Sequence, residues 1–575
     1  MATHVARLGT RSAPPGRSTA IRLAAWCALF SAAGPAVHAS DLHSHFRYGH
    51  IAWRSLGGNT VEFALQYAWR RDLYSTALGS CLNPAAGLAL VPCTGAGGFA
   101  GVGDVIWEHQ GFTMFDPGDG AGLIGSPLGP LLFLVTSADA AGNWLLGLAL
   151  DPAGLPAVDT SISRTYPAAG PYTAFTDTCC RLTAFPPTVH INNPNRGYRI
   201  ETRVQAGSAN SSPVSALPPI VVCPFNGLCS FPVLGADGDG DPLSFRLSLS
   251  TEAATFNPPF VQPGPPHAPN AAAIGSSTGL YNWNTTGAAV APPGSTTLYS
   301  TQVTIEDKDG AGNVKSKVAV DFLIQLAALS GTPPFFQHPP TPPCGSTITA
   351  PVNQPLPFAV QAADADPGQS VQINAAGLPA GATLAPLPPA SGNPLAVTFS
   401  WTPSAAQLGV KVVTFEARDN TGQQTLCPIP INVLEQGVVG AQGRMTGGGA
   451  VESGANPGRV THGFTLHCDL QKGPHNLEVN WGRGNAFHLE SLTSALCTDN
   501  PAIAPHPPPA GFDTYQGAGT GRYNGVSGAT ATWKFTDAGE PGSNDTAAIT
   551  IKDNLNNTVL SVAGALVRGN HQAHE

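Results

Sequence analysis

Along much of this chain, apolar and polar positions alternate with a period of two residues. Val61, Phe63, Leu65 and Tyr67 share one side of a segment that puts Glu62 and Gln66 on the other, the pattern of a half-buried strand. Val318, Val320, Phe322 and Ile324 repeat it, as do Cys427, Ile429, Ile431 and Val433, with Pro428 and Pro430 on the opposite side. Two prolines remove two ladder donors, so this last strand is expected at a sheet edge, with Cys427 on the core face within reach of a partner such as Cys344. Further strands are expected from Trp144 to Leu150, Tyr198 to Val204, Leu477 to Trp481 and Ala529 to Phe535. Ala547 to Ile551 is expected to pair back through the acidic turn near Asp537 to Asp545. Between Ser40 and Ala209 no helix has clear start and stop signals.

Composition sharpens this picture. The 575 residues include 66 Gly and 55 Pro, which disfavour long helices, while 11% charged and 42% hydrophobic residues exclude a disordered acidic chain and a coiled coil. At roughly 150 residues per domain several cores are expected. Arg7, Arg11, Arg17 and Arg22 precede an apolar run from Leu23 to Ala33, and Val37-His38-Ala39 forms a small-residue cleavage site, so residues 1–39 read as an export signal. No later apolar run is long enough for a transmembrane helix. The formal charge is −9, and loss of the leader, which carries Arg but no acid, makes it more negative; with few Lys, nucleic acid is excluded as a partner.

Two successive segments repeat one order of motifs. Asn210-Ser211-Ser212-Pro213 opens the first and Thr332-Pro333-Pro334 the second. Asp239-Gly240-Asp241-Pro242 corresponds to Asp364-Ala365-Asp366-Pro367, and Leu280-Tyr281-Asn282-Trp283 to Thr398-Phe399-Ser400-Trp401. Val303 to Gly310 then answers Val413 to Asn420. This order, with Gly377-Leu378-Pro379-Ala380-Gly381 and Trp401-Thr402-Pro403, resembles the cadherin-like and immunoglobulin-like ("putative Ig") repeats of bacterial exported surface proteins. The resemblance implies β-sandwiches of about seven strands strung head to tail. The last segment is similar to the post-COAP-1 module of bacterial exported proteins, through Arg459-Val460-Thr461-His462-Gly463-Phe464 and Gly519 to Gly525, a likeness that implies no activity. The expected organisation is therefore all-β: a signal at 1–39, an N-terminal sandwich at 40–209, Ig/cadherin-like repeats at 210–330 and 331–436, and a β-rich module at 437–575.

Ten cysteines remain after cleavage, an even number that in an exported chain predicts disulfides. Cys223 with Cys229, Cys344 with Cys427 and Cys468 with Cys497 are the expected pairs, while Cys81, Cys93, Cys179 and Cys180 allow three connectivities. The sharpest candidate chemistry is calcium, which takes six to eight hard oxygens. Asp237, Asp239 and Asp241, with Asp307 and Asp309 from a later loop, are expected to converge at one sandwich end, and Asp364, Asp366 and Asp419 form a second, poorer copy. The competing reading is turn chemistry, since Asp caps its own backbone and Gly takes positive φ. An EF-hand is excluded because the twelfth place from Asp237 is Ser248.

Other chemistry is weaker. His462, His467, His475, His488, His571 and His574 form no H-E-x-x-H run, and Glu490 with Asp513 is only a nominal carboxylate pair. No nucleophile elbow or phosphate loop is present. Trp53, Trp69, Trp481 and Tyr515 are candidates for stacking on sugar rings, and Asn210, Asn284, Asn544 and Asn556 head glycosylation sequons. The expectation is a secreted or cell-surface adhesion or display protein that is not an enzyme, with calcium at its joints and an unknown protein or glycan ligand. The alternatives are a carbohydrate-binding accessory protein and an enzyme with its site in a terminal domain.

Overall fold

The computed structural model describes residues 45–108, 113–254, 259–434, 443–452, 458–470, 472–482, 484–498, 503, 510, 512–540 and 542–574. The expected leader, the boundary at 436/437 and the side chain of Cys179 lie outside them. The described chain is almost entirely strand, with one short α-helix, Ser250–Ala253, among these residues. No helix among them is long and apolar enough to cross a membrane.

Phe46–Gly57 and Thr60–Arg70 form an antiparallel hairpin in which Gly49 faces Tyr67 and Trp53 faces Phe63. Its alternation sorts side chains to two different cores. Ile51, Trp53, Val61, Phe63, Leu65, Tyr67 and Trp69 pack with Phe133, Tyr198 and Ile200, as the period-two reading predicts. The opposite face is not solvated: Tyr48, Ala68, Trp144 and Leu146 pack against Phe231, Tyr281, Trp283, Val320, Phe322 and Ile324 of the first repeat. Backbone pairing follows the same path. Phe46–Gly57 bonds to Val314–Ala327 of the first repeat with Gly49 opposite Asp321, and Gly197–Ala206 bonds to the same strand with Thr202 opposite Val318. Thr188–His190 runs parallel to the start of Thr296–Lys308. One fifteen-stranded hydrogen-bonded network therefore crosses position 209/210, where the sequence placed a boundary between separate sandwiches. The reason is that the first hairpin is covered on both faces, its second face carrying Tyr48 and Ala68 into the core of the first repeat beside the polar His50, Glu62 and Gln66.

The second repeat has a core of its own. A four-stranded sheet containing Leu356–Ala363 and Leu395–Trp401 faces a five-stranded sheet containing Gly409–Asp419 and Gln424–Leu434, and Val360, Phe399, Trp401, Val413, Phe415, Ile429 and Ile431 fill the space between. Gln424–Leu434 is not an outermost strand. Ile348–Pro351 pairs parallel to its Ile431–Leu434 end, and Pro428 and Pro430 lie before that contact, where no outer ladder donor is needed. This repeat does not hang free, in contrast to a string of spacers. Thr414 Oγ1 donates to Ala216 O at 2.7 Å, Gln424 Oε1 accepts Val222 N–H at 2.6 Å and Arg418 pairs with Asp139 at 2.9 Å. Gly377 makes the close approach possible: a Cβ there would lie 2.5 Å from Ala216 Cβ and 2.2 Å from Val412 O, and its φ is +78°.

The C-terminal module is a nine-stranded antiparallel sheet running from Thr558–Ala565 through Thr546–Lys552, Val526–Thr536, Thr514–Tyr523, Asn485–Thr498, Asn476–Trp481, Arg459–His467 and Arg444–Glu452 to Arg568–His574. Only Leu566 and Val567 join the strands at its two edges, so the sheet curls onto itself around one apolar core. The expected pairs Cys223–Cys229, Cys344–Cys427 and Cys468–Cys497 are disulfide-bonded, as are Cys81–Cys93 and Cys180.

At the seam between the N-terminal strands and the first repeat, Arg181 forks onto Asp321 at 2.8 and 2.5 Å with both side chains at most 1% exposed. Gln302 donates to the same carboxylate at 3.0 Å, and Phe46 and Phe260 cover the guanidinium. Removing one partner of a buried pair leaves an uncompensated charge, so Asp321→Asn is expected to cost about 3 kcal/mol. A urea melt followed by tryptophan fluorescence checks this, and residues 45–327 should lose stability in one shared transition.

Candidate metal centre

The first joint is built by three pieces of chain. Gly197–Ala206 ends and turns through Gly207 into 208–213; the loop 237–242 closes one end of the first repeat; and Thr296–Lys308 meets Val314–Ala327 with a register shift after Asp307. Asp237 Oδ1 accepts the N–H groups of Asp239 and Asp241 at 2.9 and 3.2 Å, which folds the acidic loop around its own first carboxylate. Asp239 Oδ2 accepts Ser211 N–H at 2.6 Å and so ties the loop to the linker. Asp307, fully buried, accepts Ser316 N–H at 2.5 Å and Asn210 Nδ2 at 2.8 Å.

Carboxylate oxygens of Asp237, Asp241 and Asp307 consequently lie within 4.8 Å of one another. Burial, with Asp239 and Asp307 nearby, pushes the Asp237 carboxyl up to about 7, and burial together with Asp241 and Asp307 raises Asp239. Lys315 Nζ bonds Asp241 Oδ2. Although burial lowers it, that bond and the nearby acids hold the ammonium above its ordinary range.

Two oxygens at this cluster have no hydrogen-bond partner although they are buried: Asp237 Oδ2 and Asn210 Oδ1. An unpaired buried acceptor beside other carboxylates is costly in water-free surroundings. The carboxylates of Asp237, Asp241 and Asp307 suit a hard cation, since they offer only oxygen, while Asn210 turns its amide N–H toward Asp307 and Ser211 O. An amide turn would exchange the Nδ2 and Oδ1 positions of Asn210.

Asp309 does not join the group. It closes the hairpin tip by accepting Ala311 and Asn313 N–H at 2.9 and 2.8 Å, the turn role that competes with ligation. The second joint keeps half of the arrangement. Asp364 Oδ1 accepts Asp366 N–H at 2.8 Å and Asp366 Oδ2 accepts Thr332 N–H at 2.7 Å, so Asp364 and Asp366 match Asp237 and Asp239, two residues away from the motif alignment. Asp419 accepts Thr421 and Gln423 N–H, each at 2.8 Å, and so matches Asp309. By that register Ala417 stands where Asp307 stands, and Gly331, next to Thr332, where Asn210 stands next to Ser211. Asp364, Asp366 and Asp419 form no metal-capable group among the described residues.

Asn210 was legible only as a junction residue and a sequon; buried against Asp307, it is not presented for glycosylation in the folded chain. The other candidates are largely used up by structure. Trp53, Trp69, Trp481 and Tyr515 are buried, so none offers a face to a sugar. Glu490 lies on the surface bonded by Arg522, whereas Asp513 is buried beside Thr514. His467 packs against His475, His488 bonds Glu478 and His574 bonds Thr446. A cavity of about 440 Å³ beside the first joint is lined by Arg54, Glu62, Gln66, Asp239 and Lys411. Arg54 holds Glu62 at 2.7 Å, and burial lowers the Lys411 amine to about 8.

His462 and His571 meet across the strand that carries Gly447-Gly448-Gly449, opposite Gly449 and Gly447. A Cβ at Gly447 would lie 2.8 Å from His571 Cα, which explains the bare run. The rings are 2.8 Å apart at Nε2, with Phe464 and Phe535 stacked on His462. His571 Nδ1–H donates to Thr536 O at 3.0 Å, so its Nε2 accepts from His462 and leaves His462 Nδ1 bare in an apolar setting. Burial lowers the two rings to about 3 and about 4.

Residues 47–207 match the family described as Integrin beta-like protein A-E, N-terminal, and residues 339–433 match the "Putative Ig domain" family. Over 466 residues the chain is 26% identical to Integrin beta-like protein A of Dictyostelium discoideum, covering 72% of this chain and 20% of that protein. It is 25% identical over 423 residues to Integrin beta-like protein C of the same organism, covering 66% and 18%. The chain thus spans about a fifth of the length of the curated relatives it matches. Among solved structures, Protocadherin Gamma B2 extracellular cadherin domains 1-5 is similar at 10% identity and a TM-score of 0.14, covering 77% of this chain and 71% of that one, a level that carries no argument.

The histidine pair makes the C-terminal module less stable in acid. Both rings bind protons more weakly folded than unfolded, so their contribution is complete above about pH 6.5 and is lost as pH falls toward 4. Going from pH 7 to 5.5 is expected to cost about 2 kcal/mol. Denaturant melts at the two pH values check this, and His462→Phe should halve the difference.

Proposed function

We propose that this chain is a secreted or cell-surface adhesion or display protein, not an enzyme, whose first inter-module joint is set by calcium. The observation that carries the reading is the group of Asp237, Asp241 and Asp307 oxygens within 4.8 Å, with the unpartnered oxygens of Asp237 and Asn210 beside it. Bound there, the cation supplies the positive charge that these oxygens lack. The chain's own residues do the mechanical work. Asp237 and Asp241 belong to the loop and Asp307 to the long hairpin, while Asn210 of the linker donates to Asp307, so fixing the three carboxylates fixes the approach of three segments. Asp239, by holding Ser211 N–H, keeps the linker in register whether or not the site is filled.

An adhesion role draws on the similarity to integrin beta-like proteins over the N-terminal segment and on the immunoglobulin-type second repeat. A protein or glycan ligand would be met by loops of the terminal modules, which the curled C-terminal sheet and the N-terminal strands hold on rigid frames. The likeness of the last module to post-COAP-1 fits a non-catalytic end piece of an exported protein. A non-enzymatic role is supported by the fate of the carboxylates and histidines above, which are engaged in ion pairs, turns or core contacts.

Calcium should raise the melting temperature of the chelator-treated chain, and Asp307→Asn should abolish that rise. Asp419→Asn, at the hairpin cap of the second repeat, should leave it intact. Differential scanning calorimetry with and without 2 mM calcium, about the extracellular range for such sites, makes the comparison. A calcium response that survives Asp307→Asn contradicts the reading.

A further inference from the structure

The acidic residues around the first joint divide their cations unevenly. Glu252 has Arg246 and Lys317, Glu201 has Arg199 and Lys317, Glu306 has Arg246 and Lys308, and Asp321 has Arg181. Asp237, Asp239, Asp241 and Asp307 have one cation in bonding distance among the described residues, Lys315 on Asp241. Lys315 immediately precedes Ser316, whose backbone N–H holds Asp307, so the register that places the buried carboxylate also places the ammonium.

The second repeat supplies an internal comparison. With Asp419 matched to Asp309, Thr425 faces Ala417 as Ser316 faces Asp307, so the extra residue that Lys315 supplies at the register shift has no counterpart, and Thr425 donates to Pro334 O. The position of Asp307 is Ala417 and that of Asn210 is Gly331 in the same copy. The lysine is therefore missing from the joint that lacks the ligand oxygens.

Resting on the calcium reading of this site, we infer that Lys315 is a built-in competitor: its ammonium offsets part of the negative charge of the Asp237/Asp241/Asp307 cluster when no cation is bound, and calcium enters by displacing it from Asp241. A dication and an ammonium cannot share one carboxylate oxygen at contact without strong repulsion. The displaced side chain has somewhere to go, because Lys315 is 32% exposed and its four-carbon stem can turn outward from the hairpin. The exchange keeps a cation on Asp241 in both states. It also weakens calcium, since each binding event must break the lysine pair, which makes the joint responsive to changes in free calcium and not permanently filled.

The test is isothermal titration of calcium chloride into the chelator-treated full chain, with calcium-free melting temperatures measured in parallel. Lys315→Met keeps the stem and removes the charge. It is expected to bind calcium up to about five-fold more tightly, the equivalent of losing one partly exposed ion pair, and to melt lower than wild type without calcium. Lys315→Arg is expected to stay near wild type. Should Lys315→Met not fold, Lys315→Gln carries the same prediction. Calcium binding by Lys315→Met where wild type shows none also supports the exchange. Wild-type binding with an unchanged isotherm for the charge-removed variant overturns the competitor and leaves the site standing. No binding by either protein overturns both.

Discussion

The architecture depends on a guanidinium and a carboxylate buried where two cores share a sheet. Arg181 comes from the N-terminal segment and Asp321 from the first repeat, and their fork is sealed by Phe46, Phe260 and Gln302. Neither charge could be there alone, because desolvation of an unpaired ion outweighs what packing returns. Asp321 lies opposite Gly49 in the strand pairing that joins the two parts. Gly49 offers no side chain, and a Cβ there would meet Ile200 at 2.7 Å. The pair thus selects one register for Phe46–Gly57 against Val314–Ala327, and a shift of one residue would expose the charge or bury it without its partner.

The same hairpin carries the joint. Thr296–Lys308 and Val314–Ala327 hold Asp321 inside the shared sheet and, toward the turn, Asp307 in the acidic cluster. A rigid hairpin anchored by Arg181 can offer Asp307 to the linker and loop at fixed distance, which a freely jointed repeat could not. The second repeat is attached by different means, through Gly377 against Ala216, Thr414 on Ala216 and Arg418 on Asp139. Where the first joint has Asp307 and Asn210, this one has Ala417 and Gly331.

What the sequence displays is the local part of this. Period-two alternation marked Val61 to Tyr67 and Val318 to Ile324 as core faces, because that signal depends on neighbours close along the chain, and three disulfide pairs were marked because each falls within one segment of the chain. The acidic loop was also visible, as carboxylates separated by glycine. The sharing of one sheet across position 209/210 was not. It depends on Tyr48, Ala68 and Trp144 meeting a core that lies beyond position 210, and a residue buried on an unexpected face looks the same in sequence as one that is exposed. Asn210 escaped for a similar reason, since its oxygen matters only because Asp307 occupies its amide. Asp309 and Asp307 are indistinguishable by type, and only the hairpin register sends one into the turn and the other inward.

Native-state hydrogen exchange of the full chain addresses the shared sheet directly. If the N-terminal strands and the first repeat are one cooperative body, amides of Phe46–Gly57, Gly197–Ala206 and Val314–Ala327 should open together with a common free energy and a common denaturant dependence. Separate opening, with Val314–Ala327 still protected while Phe46–Gly57 exchanges, would mean that the two parts are independent domains in contact and that the buried pair does not unite them.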